Sequence, residues 1–471
     1  MTGSSFTFPQ RGHFMAKPNS SLITDFTTGS VPRQLLVFSA PLFLSNLLQV
    51  VYNMADMIIV GMALGKVGLS AVSVGGDVSH FLTFLAMGFS SAGQVIISQY
   101  VGAGQKDRIG RFIGTMFHFL FLCAVALSSV CFLLRRPIMR LMNTPAASWD
   151  EALAYATVCM IGLVFIYGYN AISAVLRGLG DSRHPFIFIS VAAVLNIVLD
   201  LLFVLGFGMG SMGAALATVI GQGFSFVACA VFLWRSRKTF AFSLEPAHFL
   251  TMDPTLLRSL VKLGVPMAIK SASIQLSKLF VNSWINSYGV EVSAMAGIAN
   301  KFNSISNLFS NSVNTAGASM VGQNIGAKQY KRVPRIMVTA FCITMTTSLL
   351  LSLAVILFPT QVFGIFTSEP EVLAIAMEYI PIAVLIFFGS ACRAPSNALI
   401  NGCGHHRINF ATAILDGLVL RIGLSVLFGL ALDMRYMGFW LGDALAGFTP
   451  LWIGIVYYYT GKWKNEADIT K

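Results

Sequence analysis

Apolar residues along this 471-residue chain gather into long runs divided by short polar stretches. A helix that crosses a bilayer needs about 20 predominantly apolar residues. Runs of that kind over 34–57, 67–97, 111–134, 151–176, 185–206, 211–233, 259–286, 292–322, 333–358, 372–400, 408–432 and 436–459 predict twelve membrane-spanning helices. The first 31 residues are polar and mixed, with no apolar run of the signal-peptide kind. One longer polar stretch, from Trp234 to about Leu260, divides the runs six and six. The expected organisation is a tail over 1–32, a six-helix lobe over 33–233, a linker over 234–258, a second six-helix lobe over 259–460 and a tail over 461–471. The fold class is an all-α membrane protein.

The two sets of six are copies. Residues 99–108 read QYVGAGQKDR and residues 323–332 read QNIGAKQYKR, an offset of 224. Leu176–Arg183 reads LRGLGDSR and Ile400–Arg407 reads INGCGHHR, at the same offset. Pro41 and Pro266 correspond at 225, and Ser70-Ala71 and Ser293-Ala294 at 223. An even number of spans returns each copy to its starting side, so the repeats are parallel and related by an axis along the membrane normal. Two homologous membrane halves with a site between them are the usual build of a secondary transporter. A proline inside a helix frees backbone groups and bends it. Pro41 and Pro266, at equivalent places in the first span of each copy, predict a bend that each lobe uses.

Composition agrees with the span count: 56% of residues are hydrophobic and only 11% charged, against about 25% charged in a soluble protein. A net charge of +12 would point to nucleic acid in a soluble chain. Here the basic residues lie in short loops, and their asymmetry sets topology instead. Lys106, Arg108, Arg111, Arg235, Arg237, Lys238, Lys328, Lys331, Arg332 and Arg335 fall on one side; Lys66, Arg135, Arg136, Arg140 and Arg435 make up the other. The positive-inside rule puts the richer side, the linker and both termini in the cytoplasm. A multi-pass plasma-membrane protein is expected (in a bacterium, the inner membrane), with the bilayer as partner and no nucleic acid. Seven cysteines stand singly with no C-x-x-C pair, which supports neither a metal site nor a disulfide framework. No Walker loop appears, so the chain is not expected to bind ATP. His405-His406 lies in a basic loop without a Ser or Cys motif, and no enzyme activity is expected.

Charges inside the spans are the informative residues. A mid-membrane Asp costs about 2.5–3.5 kcal/mol on insertion scales and is a functional hypothesis by default. Asp56 lies near the end of the first span. Asn196 and Asp200 lie midway along the fifth, four apart and so on one helix face. Protonating an ordinary Asp at pH 7 costs about 4 kcal/mol, and burying it charged and alone costs at least as much. A neighbouring carboxylate favours the protonated form and a bound cation the charged one, which is the physics of proton or sodium coupling. The alternative is a structural carboxylate paired with a base or capping a helix. In the sixth span Gly213, Ala217 and Gly221 form a packing stripe, and the Thr218 hydroxyl beside it either ligates a cation or bonds its own backbone. The second copy differs. Lys270, Lys278 and Lys301 lie in its first two spans, Arg393 and Arg421 in later ones, with Asp416 and Asp443 in partial compensation. Lys301 corresponds to Asp77 of the first copy. Two accounts stand: ion pairing, for example of Asp77 with a base across the interface, or a basic cavity wall suited to an anionic or zwitterionic substrate.

The segment PLFLSNLLQVVYNMADMIIVGMALGKVGLSA (41–71) resembles the opening of multidrug and toxic compound extrusion (MATE) transporters. The segment NIVLDLLFVLGFGMGSMGAALAT (196–218) is similar to helices five and six of their DinF-like branch. The loop QYVGAGQKDR and its copy match the family's loops after helices two and eight, and the resemblance runs from about 33 to 460. It implies a twelve-helix antiporter that exports small organic compounds in exchange for H+ or Na+, by rocking of the two lobes around a central cavity. It implies no cofactor beyond that ion and no metal beyond Na+ at the coupling site; a monomer is expected. The branch's coupling site maps onto Asp56, Asn196, Asp200 and Thr218, with Tyr155, Asn170 and Gln49 as further positions and Pro41 as the bend. Departures from the family pattern are Lys270, Lys278 and Lys301, together with Asp77 and His80. With Arg393, the three lysines and Asp77 are candidate cavity residues. They keep a rival in play, a flippase or exporter of anionic, lipid-linked substrates from the same superfamily. The loop A-G-Q-K-D-R-I-G-R-F only approaches the major-facilitator signature, since Ala103 and Phe112 stand where that motif has Gly and a base, and the second copy loses the D-R-x-G.

Overall fold

The computed structural model describes residues 23–240 and 242–464; most of the two predicted tails, 1–22 and 465–471, lies outside the described residues. Among the described residues there is no strand. Twelve helices cross the molecule: α1 (31–64), α2 (66–102), α3 (Lys106–Leu133), α4 (Trp149–Gly178), α5 (Arg183–Gly206), α6 (Gly210–Arg235), α7 (Pro254–Asn286), α8 (Val290–Gly326), α9 (Val333–Leu357), α10 (Pro370–Cys403), α11 (His406–Ala431) and α12 (Arg435–Tyr459). The first two form a single helical run, Val31–Gly102, broken only at Gly65 with φ 58° and ψ −142°. That conformation is open to glycine and strained for other residues, and it falls between the first two predicted runs. Nine helical segments among the described residues are long and apolar enough to cross a membrane, and the Val31–Gly102 run holds two of the spans. The two that fall short, α7 and α8, carry Lys270, Lys278, Lys301 and many Ser and Asn residues. Such helices tolerate the bilayer only where their polar faces meet protein or water.

Local chemistry explains where several helices begin and end. At the start of α7 the Asp253 carboxylate accepts from the backbone N–H groups of Thr255 at 2.9 Å and Leu256 at 3.3 Å, with Pro254 as the first helical residue. Helix α10 stops at Gly404, whose left-handed φ of 70° turns the chain toward α11. Helices α1 and α7 continue through Pro41 and Pro266 without leaving helical dihedrals. The predicted linker is not a free connection. His118 of α3 bonds the Phe249 carbonyl at 3.2 Å, and Thr115 accepts from the Asp253 N–H at 3.2 Å. Phe240, Phe242 and Leu244 are buried in the first-lobe core.

The duplicated Q-x-x-G-A segment meets its own copy across the lobe interface. These segments end α2 and α8, at the end of the molecule that carries the Lys- and Arg-rich loops. A Cβ on Gly102 would stand 1.9 Å from the Gln323 carbonyl oxygen, and one on Gly326 would stand 2.1 Å from that of Gln99. Only glycine lets these two backbones approach so closely. Around this crossing Gln94 donates to Ser319 Oγ at 2.7 Å and to the Thr315 carbonyl at 3.0 Å, and it accepts from Arg177 Nε at 2.9 Å. Gln99 donates to the Gly402 carbonyl at 2.9 Å. A strap over 23–30 adds a second tie. Thr24 N–H bonds the Leu179 carbonyl of the first lobe at 3.1 Å. The Phe26 N–H bonds Gln323 Oε1 of the second at 2.9 Å, and Arg332 donates to the carbonyls of Phe26, Thr28 and Gly29. In the strap Asp25 is exposed but gives up part of its hydration to its neighbours, which opposes its charge. Its hydrogen bonds from Thr27 and Thr28 and the charge of Arg332 outweigh this and hold the carboxyl below its ordinary range, so the strap keeps that charge throughout neutral pH.

Toward the opposite end the interface opens. Among the described residues the hydrogen bonds between α1–α2 and α7–α8 reach no farther than Asn46 to Ser312, at 3.3 Å. Beyond them Asp77 of α2 and Lys301 of α8 are exposed. Each lies roughly 17 Å from the open end, at 1.5 Å per helical residue. Charged side chains at that depth are stable in a water-filled cleft and not in lipid. Gly102→Leu should push the closed ends apart, lengthening by several ångströms the distance between spin labels at Lys106 and Lys331 in pulsed dipolar spectroscopy. Gly76→Ala, a position with open space around it, should leave that distance as it is. An unchanged distance in Gly102→Leu would remove the glycine crossing as the determinant of closure.

Candidate functional site

The first lobe holds an acid pocket built from α1, α5 and α6. Asp56, Asn196 and Asp200 are 3%, 2% and 0% exposed, so their polar atoms depend on one another. Thr218 Oγ1 donates to Asp56 Oδ2 at 3.2 Å. The Asn196 amide spans the gap from α5, its Nδ2 donating to Asp56 Oδ1 at 3.0 Å and its oxygen accepting from the Thr218 N–H at 3.2 Å. Asp200, one turn along α5 from Asn196, brings its carboxyl within hydrogen-bonding reach of Asp56. Neither Asp200 oxygen receives a donor from any other group, and among the described residues neither carboxylate has an ion-pair partner. Just beyond Asp200 the helix widens into a π turn over Leu201–Gly206, a feature frequent at functional sites.

Two carboxylates in contact without a cation cannot both stay ionised. The pocket is stable with a proton shared between them, or with a cation between them and the amide and hydroxyl oxygens as further ligands. Ile59, Val60, Val72, Cys159, Val204 and Ala214 form a buried apolar cluster on the same helices and on α2 and α4. Tyr155 lies against the pocket, close enough for its phenol to sense Asp56 and Asp200 electrostatically. Tyr52, one turn before Asp56, accepts at its hydroxyl from Gln222 at 3.4 Å.

The second lobe holds a different charge cluster at corresponding positions. Arg421 of α11 is 2% exposed. Its guanidinium bridges Asp416, at 3.0 Å, and Asp443 of α12. Arg393 of α10 stands 3.7 Å from Asp416 and bonds the Gly447 carbonyl. Lys270 of α7 donates to the neutral Asn397 amide at 2.6 Å. Lys278, two turns farther along α7, has no hydrogen bond or ion pair among the described residues and faces a cleft beside Asp443 and Tyr379. At the offset of 225 that relates Pro41 to Pro266, Arg421 corresponds to Asn196 and Asp443 to Thr218; at 224, Tyr379 corresponds to Tyr155.

The structure thus brings Asp56, Asn196, Asp200 and Thr218 together, with Tyr155 beside them. It does not join the other two coupling candidates to the pocket. Asn170 bonds the Ile166 carbonyl of its own helix at 2.8 Å, and Gln49 has no hydrogen bond to any pocket residue among those described. The pairing expected for Asp77 is not formed: its charged neighbour is His80 on the same helix, because the lobes diverge at that depth. The basic wall also divides. Arg393 is spent on Asp416, Lys270 on Asn397, and Lys301 lies exposed in the open cleft; Lys278 alone of the five cavity candidates lines the second-lobe pocket. Sequence reasoning missed Tyr52, Gln222 and Tyr379. The offset of 224 carried from Tyr155 would have found Tyr379, and helical spacing of four from Asp56 and Thr218 would have found the other two.

Comparison with known proteins gives the same picture at the level of the whole chain. The MatE family profile matches residues 41–202 and 266–427. The "Probable multidrug resistance protein YpnP" of Bacillus subtilis (strain 168) is 30% identical over 447 residues, 95% of this chain and 99% of that protein. A crystal structure of "MATE in the bent conformation" superposes with a TM-score of 0.85 at 21% identity, over 96% of this chain and 100% of the other. A transporter of the MOP superfamily from Pyrococcus furiosus, described as having a binding pocket of reverse polarity that suggests a different function, superposes with a TM-score of 0.85 at 21% identity, over 97% and 100%.

The two clusters should respond oppositely to neutral substitutions. Arg421→Met removes the cation shared by the buried Asp416 and the half-buried Asp443, leaving Arg393 and Lys278 nearby, and should cost about 3 kcal/mol, the scale of a broken buried ion pair. Asp56→Asn removes one of two opposed carboxylates and should cost under about 1 kcal/mol. Thermal unfolding of the detergent-solubilised protein checks both. An Arg421→Met protein as stable as the parent would mean that the second-lobe ion pairs do not hold α11 and α12 together.

Proposed function

This chain belongs to the MatE family of membrane transporters, and on that premise we propose that it is a secondary antiporter exporting small organic compounds in exchange for H+ or Na+. The observation that carries the proposal is the buried Asp56–Asp200 carboxyl pair, which has no basic partner among the described residues and an amide and a hydroxyl within reach. A site of that composition exists in two states, occupied by a proton or cation or emptied of it, and each state has a different electrostatic cost. That difference is what a transporter needs to couple ion flow to a conformational change. The chain is not an enzyme; what it changes is the side of the membrane on which a compound resides.

In this reading the basic loops lie in the cytoplasm, as the positive-inside rule directs, and the plasma membrane is the site of action. The glycine crossing of α2 and α8 then seals the cytoplasmic side while the cleft opens outward. An external ion enters the acid pocket, neutralises the pair and favours release of the compound. Return of the lobes, residues 33–233 against 259–460 with 234–258 as the tether, exposes the pocket and the cleft to the inside. The protein works as a monomer, since each chain supplies both lobes. The relatives named for multidrug resistance support a drug-like substrate. A second reading, an exporter of anionic compounds, is favoured by the four cations that face two carboxylates in the second lobe.

Proteoliposomes loaded with a fluorescent drug and placed under an imposed proton or sodium gradient test the coupling. Asp200→Asn should lower gradient-driven transport at least tenfold, and Asp56→Asn should do the same. Parent-level transport by Asp200→Asn under both gradients would end the coupling assignment.

A further inference from the structure

In the second lobe, cations outnumber carboxylates, and the carboxylates are already committed. Asp416 and Asp443 both contact Arg421, and Asp416 also faces Arg393. Lys270 is held by a neutral amide. What remains is the ammonium of Lys278, in a narrow cleft that Asp443, already paired with Arg421, lines together with Asn282, Asn300, Asn303, Tyr379 and Trp440. Unbalanced positive charge inside a bilayer is costly and calls for an anion. The cleft offers the donors that an anion needs. The amides of Asn282 and Asn300 have no side-chain hydrogen bond among the described residues, and Asn303 spends only its oxygen, on Asn307 at 2.8 Å. An aromatic wall borders them, with the Tyr379 and Trp440 rings edge to face at 4.9 Å and Tyr436 next to Trp440 at 5.7 Å.

We infer that this second-lobe cleft binds the carboxylate or phosphate group of an amphipathic organic anion, with Lys278 as the counter-charge and the α7 and α8 amides as donors. The inference deepens the transport reading and rests on it, for it takes the bound molecule to be cargo. The free space of the cleft is about 20 Å³, room for one oxygen of the anionic group beside Lys278, and the remainder of the molecule lies in the open space between the lobes, where Lys301 is exposed. The repeat gives the placement a reason. The acid pocket and this cleft occupy corresponding places, so one lobe holds a site for a cation and the other, after exchange of Asn196 and Thr218 for Arg421 and Asp443, a site for an anion.

Equilibrium binding to the full-length protein in phosphatidylcholine nanodiscs tests this without any gradient. The probes are 2-naphthoate and (2-naphthyl)trimethylammonium, which share a ring and differ in charge. The parent should bind the naphthoate at least tenfold more tightly than the ammonium. Lys278→Met should weaken naphthoate binding tenfold or more and leave the ammonium unchanged, Lys278→Arg should keep the preference, and Asn282→Leu should weaken it severalfold. Adding phosphatidate to the nanodisc separates the sources: displacement of naphthoate from the parent marks a lipid head group as the natural anion, and no displacement marks a free organic anion. Equal affinity for the two probes, or naphthoate binding that survives both Lys278→Met and Asn282→Leu, would overturn the inference. A binding loss here leaves the Asp200 coupling test untouched, and a failed coupling test leaves this binding measurement standing.

Discussion

Charge that cannot reach water is the constraint on which this molecule is organised. Each lobe carries ionisable side chains in the middle of its helices, and each resolves the problem differently. The first brings two carboxylates within hydrogen-bonding reach and, among the described residues, gives them no base. The second ties its carboxylates to Arg421 with 3.0 Å geometry on the Asp416 side and is left with cations in excess. The ion pairs there hold α11 and α12 in register. The acid pair is the element that the proposed function treats as variable.

Much of this was legible in the sequence, and the limits have physical causes. Helix number came from apolar runs, including α7 and α8, whose low hydropathy is compensated by the cleft that they border. The duplication came from motif spacing. Asp56, Asn196, Asp200 and Thr218 stood out because charge and amide are rare in spans, yet only packing shows that three helices bring them to one point. Spacing along a helix gives the face of a residue and not its neighbour on another helix, which is why Asn170 and Gln49 could not be separated from Tyr155. Asp77 illustrates the same gap. Its repeat partner is Lys301 by register, but the lobes part before the two can meet. The strap over 23–30 left no sequence signal, since backbone carbonyls do most of its bonding and every residue has one.

The glycine crossing shows why the loop motif was kept in both copies while the buried charges diverged. Gly102 meets the backbone of Gln323 and Gly326 that of Gln99, so each copy is the other's binding partner. A change in one would have to be answered in the other. Among the described residues the buried ionisable groups of the two lobes make no such reciprocal contact.

The strap breaks that reciprocity. Gln99 reaches across to the Gly402 carbonyl of the opposite lobe, whereas Gln323 is occupied by Phe26 and Thr24. At the other end of the chain Trp463 packs on the rings of Tyr330 and Tyr458 of the second lobe. The two termini are therefore mechanically unequal. A tag or fused domain that pulls on the front of the chain acts as a lever on the seam between the lobes, while the same cargo at the back hangs from one rigid half. For anyone attaching a label, an anchor or a reporter, the choice of end is a choice of whether to load the moving joint.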